Sequence, residues 1–152
     1  MDVYAKIKEL GLELPKAPQK GGVYSPCVQF NGNLVYVSGC GPIIGDRTYN
    51  GKLGSTYSEE EGQVAARDSM LNVLAVINDY VGDLNKIKPV KILAFVACEN
   101  DFLKQPSVAN GGSNLLAELY GKDNVPARSA IGVNVLPGNI PVEIEGLFEI
   151  IK

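Results

Sequence analysis

A chain of 152 residues, 45% apolar and 20% charged, can build one hydrophobic core and has too little material for two. Its 14 basic and 17 acidic side chains leave a net charge of −3 and a pI near 5.0, which argues against a nucleic-acid binder that displaces counterions with a basic stripe. There is no histidine, so any chemistry must be run by arginine, carboxylate, tyrosine, serine, cysteine and backbone groups.

Val3, Ile7 and Leu10 recur at helical spacing before Gly11, which predicts a short amphipathic helix and its stop. Pro15 and Pro18 make the following connector extended. We divide the chain into this helix and connector over 1–22 and an α+β domain over 23–152. Strands begin at about Tyr24: Val28 and Phe30 lead into Asn31-Gly32, a type I′ hairpin signal, and Leu34–Ser38 returns. Gly39-Cys40-Gly41-Pro42 ends that strand, with two glycines able to admit a close neighbour. Residues 43–57 are turn-rich, with room for one irregular strand.

Ser58-Glu59-Glu60-Glu61 is a capping box, and the three acids suit the helix dipole. The helix it opens runs to about Val81, burying Val64, Met70, Leu71, Leu74 and Ile77. Ile92–Ala97 reads as a second central strand. Gln105 to Tyr120 reads as another helix with a Leu115, Leu116 and Leu119 face. Asn110-Gly111-Gly112 is poor for helix propensity, which predicts either a helix face pressed on another backbone or a late, kinked start. Two last strands, about 127–135 and 142–151, flank the Leu136-Pro137-Gly138-Asn139 turn and are expected to pair as a hairpin, with Arg128 on one and Glu143 and Glu145 on the other. The order predicts a mostly antiparallel sheet with two long helices on one face.

Cys27, Cys40 and Cys98 are odd in number and far apart, so we expect three reduced, mostly buried thiols and neither a disulfide framework nor a zinc site. The first ten residues lack the continuous apolar stretch of a signal peptide, and no segment reaches the ~18 apolar residues that span a bilayer. Cytoplasmic location, with no membrane or nucleic-acid partner, is the expectation.

Gly32–Gly39, Asn72-Val73-Leu74, Gly82-Asp83-Leu84, Asp101-Phe102, Ala127-Arg128-Ser129, Leu136-Pro137 and Val142-Glu143-Ile144-Glu145 form an ordered set. With it, the chain resembles the RidA/YjgF/YER057c/UK114 family, also labelled endoribonuclease L-PSP-like, nearly throughout after the first helix. That helix, Asn110–Ser113 and Ser129–Val133 place it in a divergent branch. The resemblance implies a chorismate-mutase-like fold and a homotrimer with small-molecule clefts between subunits. It implies, without any cofactor, hydrolysis of 2-enamine and 2-imine intermediates to 2-keto acids and ammonia. It marks Arg128 and Glu143 as catalytic, and Tyr24, Gly39, Cys40, Ser129 and Ala130 as substrate-binding. Ala130 departs from the family, whose best-known members carry cysteine there.

The chemistry suits these residues. An imine made from an amino acid carries a carboxylate, which arginine grips through two parallel charge-assisted hydrogen bonds. Arg128 cannot act as a base at neutral pH, so its role is to anchor. A carboxylate is then wanted to position or deprotonate water, and the resemblance implies that Glu143 occupies that position. A protonated imine is electrophilic by itself, so neither metal nor covalent nucleophile is required. As a hairpin, Arg128 and Glu143 would lie about 16 Å apart along the strand, a spacing that allows both a single-chain site and one shared with a neighbouring subunit. The competing readings are a non-catalytic trimeric binder of small carboxylates and, less favoured, a ribonuclease. Without the family, Arg128 and the glutamates form an ordinary surface or interface ion pair.

Overall fold

The computed structural model describes residues 2–151. Its elements are α1 (Val3–Glu9), β1 (Cys27–Phe30), β2 (Leu34–Cys40), α2 (Glu59–Val81), β3 (Ile87–Ala97), α3 (Gln105–Tyr120), β4 (Ala127–Val133) and β5 (Val142–Ile150). The capping box forms as expected: Ser58 Oγ accepts from the Glu61 amide at 3.2 Å and the Glu61 carboxylate accepts from the Ser58 amide at 2.8 Å. Gly82 closes α2 at φ 83°. Asn31 and Gly32 take the positive φ values that the hairpin needs, 49° and 82°. Because Phe30 pairs with Leu34, however, the loop holds three residues and is not a two-residue type I′ turn.

The sheet has five strands in the order β1-β2-β5-β3-β4, antiparallel except for the parallel pair β3–β4. Helix α3 is the crossover that makes this parallel pair, so β4 lies at one edge and β5 is inserted between β2 and β3. The expected β4–β5 hairpin therefore does not form. The turn between them exists, with Gly138 at φ 66°, but it carries the chain past β3. Residues 43–57 hold no strand, only isolated bridges from Leu53 to Tyr57 and Cys98. Strand β3 starts before Pro89, and its register with β5 shifts between Pro89 and Lys91, which accommodates a residue with no amide hydrogen.

Both long helices and α1 cover one face of the sheet. Val35, Val37, Ile92, Ala94, Val96, Ile144 and Phe148 from the strands are buried with Met70, Leu74, Ile77, Val108 and Leu116 from the helices, and Val3 and Ile7 of α1 join the same core. Val64 and Leu10, assigned to core faces by spacing, are exposed. The three thiols are free, Cys40 and Cys98 buried. Gly111 explains the weak propensity inside α3: a Cβ there would lie 1.9 Å from the Gln63 carbonyl oxygen. The helix is continuous through it, packed backbone to backbone on α2. Gly111→Ala must separate the two helices, and a loss of about 1–3 kcal/mol in unfolding free energy is expected, read from a lower denaturant midpoint.

The other face of the sheet carries no helix. By strand alternation Phe30, Tyr36, Leu93, Phe95, Ile131 and Leu147 point there, and Ile131 remains 46% exposed. The chain's own helices leave this apolar stretch uncovered.

Candidate active site

The β2 strand bulges between Val37 and Cys40, and this bulge sets the geometry. It turns Gly39 toward the helix-free face, where Glu143 of β5 projects. A Cβ on Gly39 would lie 2.0 Å from Glu143 Oε1, so any other residue there would push the carboxylate out of this position. Glu143 is half-buried in this position. Loss of water, and secondarily the charge of Glu145 two residues on, push its carboxyl above the ordinary carboxylate range. Glu145 is committed elsewhere, accepting from Tyr36 Oη at 2.6 Å.

Gly39 also lines a cleft of about 370 Å³, together with Tyr24, Cys40, Gly41, Pro137 and Ile140. Glu143 is not part of that lining; it touches it through Gly39. Tyr24 Oη accepts from the Gly21 amide at 3.2 Å, and Ser38 ties the Ser25-Pro26 wall in place through its hydroxyl and amide at 2.7 and 2.9 Å. The Cys40 thiol is pushed up to about 12, by burial first and by the Glu143 charge second. It stays protonated at neutral pH and is no nucleophile.

Two buried polar residues of α2 hold the loop that follows β2: Asn72, quoted above only as part of the Asn72-Val73-Leu74 match, and Asp68, which the sequence reading did not single out. Asn72 Nδ2 donates to the Gly41 and Ile43 carbonyls, each at 2.9 Å. Asp68 pairs with Arg47 of that loop and with Arg67 at 2.9 Å. Gly41 and Ile43 form one wall of the cleft. Removing the amide in Asn72→Ala leaves two carbonyls unsatisfied, at a cost of about 1–3 kcal/mol, and the melting temperature should fall accordingly. A sequence signal existed, since polar residues stood on a helix face otherwise reserved for the core.

The other predicted residues lie elsewhere. Arg128 faces the helices: its Nη1 donates to Asn110 Oδ1 at 2.7 Å and Ser113 Oγ at 3.1 Å, both on α3. No carboxylate among the described residues lies within ion-pair distance of it. Arg128 pairs with Ile92, whereas Glu143 pairs with Phe95, three residues further along β3 and one strand beyond. Two strand steps and three residues put their Cα atoms roughly 14 Å apart, and alternation points their side chains to opposite faces of the sheet. Ser129 faces away from the helices and accepts from Lys91 Nζ at 2.8 Å. Ala130 packs half-buried against the core. Within one chain, then, Tyr24, Gly39, Cys40 and Glu143 converge, while Arg128, Ser129 and Ala130 sit on the edge strand at the far side.

Comparison with known proteins gives this geometry a family context. The profile of the YjgF/chorismate mutase-like family, which also carries an endoribonuclease label, matches residues 5–148, beginning inside α1. Protein TCP17 of Trypanosoma cruzi is 36% identical over 97% of this chain and 94% of its own. A 2-iminobutanoate/2-iminopropanoate deaminase of Dermatophagoides farinae is 32% identical over 90% of this chain and 92% of its own. The crystal structure of Atu1372 from Agrobacterium tumefaciens, a protein of unknown function, superposes with a TM-score of 0.89 at 37% identity, covering 97% of this chain and 92% of that one.

Proposed function

Because the chain belongs to the YjgF/chorismate mutase-like family, we propose that it hydrolyses 2-imino acids to 2-keto acids and ammonia, in sites completed by a second copy of itself. The observation that carries this reading is the half-buried Glu143 carboxylate lodged on Gly39 beside the cleft. A base with a raised pKa takes a proton from water more readily than an ordinary carboxylate and returns it more readily to a leaving amine.

In the proposed reaction Glu143 draws a proton from water as the oxygen adds to the C=N carbon, giving a carbinolamine. The protonated carboxyl then returns that proton to nitrogen. As the C–N bond breaks, the Glu143 carboxylate takes the hydroxyl proton, the C=O forms and ammonia leaves with the keto acid. The proton that the protonated imine brought passes finally to the ammonia. Water is consumed once and no redox change occurs. Tyr24 and the Gly39–Gly41 backbone shape the cleft around the substrate.

Arg128 points away from this cleft in its own chain, so its anchoring role is assigned to a neighbouring copy. Three features support that arrangement. The arginine lies on an edge strand. Asn110 and Ser113 fix one nitrogen of its guanidinium and leave the rest of the fork for a carboxylate. The helix-free sheet face carries the apolar side chains that a cyclic assembly, a homotrimer in our reading, would bury. The test generates 2-iminobutyrate in place with a dehydratase and follows its decay. Addition of the protein should accelerate release of 2-ketobutyrate and ammonia, and unchanged decay would refute the activity.

A further inference from the structure

The cleft beside Glu143 does not end at Tyr24. Through Pro18, Gln19, Lys20, Tyr24, Pro26 and Val76 it runs into a second, larger hollow of about 760 Å³ between the 16–27 connector and the end of α2. A three- or four-carbon imino acid would leave this extension empty. Its charged lining is Lys16, Lys20 and Asp79, and among the described residues none of the three is in an ion pair. Two ammonium groups against one carboxylate give the hollow a net charge of +1 on a chain whose overall charge is −3. Concave walls concentrate such a field on whatever enters.

Resting on the deaminase reading above, we propose that the preferred substrates are dicarboxylic 2-imino acids, with Lys20, assisted by Lys16, holding the distal carboxylate. Lys20 lines both hollows, so it stands where a chain reaching past Tyr24 would arrive. The α-carboxylate would meet Arg128 of the neighbouring copy and the imine carbon Glu143, leaving the side-chain acid to the lysines. Both lysines are exposed, so their contribution is moderate and screened by salt.

The test measures binding of two product analogues to the intact protein by calorimetry: 2-oxobutyrate, with one carboxylate, and 2-oxoglutarate, with two. At low salt 2-oxoglutarate should bind about tenfold more tightly, equivalent to roughly 1.4 kcal/mol. That ratio should fall toward one in the Lys16→Gln/Lys20→Gln double variant and in 0.5 M salt. Equal binding of the two acids to the unmodified protein, or a preference that survives the double variant, overturns this proposal and leaves the deaminase reading standing. Failure of both acids to bind removes the deaminase site and the proposal together.

Discussion

Glu143→Gln should lower the turnover of freshly generated 2-imino acid by about 10²–10⁴-fold, the range for loss of a positioned proton carrier, while making the protein more stable at pH 7. The two effects share one cause. Burial and the neighbouring Glu145 charge raise the Glu143 carboxyl, so the folded chain holds this proton more tightly than the unfolded chain does. Stability from this group is therefore greatest below the unfolded value near ~4.3 and is lost as pH rises through the folded one. At neutral pH the penalty is fully present, and glutamine does not carry it. The melting temperature of Glu143→Gln should exceed that of the unmodified protein at pH 7, and the difference should vanish near pH 4. The acid limb of the rate profile should lie above the range of an ordinary glutamate. A variant that loses stability at pH 7 would show that the carboxylate is a structural group.

Arg128→Ala should lower kcat/KM by about 10–200-fold, the effect of about 1.5–3 kcal/mol for a charge-assisted hydrogen bond, with little change in melting temperature. Its intrachain partners, Asn110 and Ser113, are neutral side chains and lose no ion pair when the guanidinium is removed. Arg128→Lys should recover only part of the loss, because an ammonium cannot present a planar fork to the substrate carboxylate. Steady-state kinetics on the three proteins checks both statements.

Much of the fold could be read from local chemistry. The Ser58–Glu61 box, Gly82 and the Gly111 close contact each impose a conformation through nearby atoms, and the structure has them where the pattern puts them. Asn31-Gly32 marks the hairpin correctly, though its loop is one residue longer than expected. The β4–β5 pairing failed for a non-local reason. Eight residues between the two strands suit a hairpin, but helix α3 brings β4 down beside β3 in parallel, and strand order is fixed by that crossover rather than by loop length. Strand β4 turns Ile131 away from the helices and Arg128 toward α3. Alternation could not have assigned those sides, because the helix-free face also carries apolar residues. For the site, glycine at position 39 was legible as a point of close approach; which atom approaches was not, since that depends on the β2 bulge and on β5 lying next to β2.

That Arg128 and Glu143 of one chain occupy opposite faces of its sheet leads to the most direct measurement. Glu143→Gln and Arg128→Ala copies, each strongly impaired alone, are unfolded together in equal amounts and refolded, and imine hydrolysis is assayed at low substrate. In a cyclic assembly, random mixing pairs an intact Glu143 with a neighbour's intact Arg128 at about one quarter of the interfaces, so activity should return to about a quarter of that of the unmodified protein. If the mixture is no more active than the mean of its two components while the unmodified protein refolded in the same way is active, the shared site is wrong.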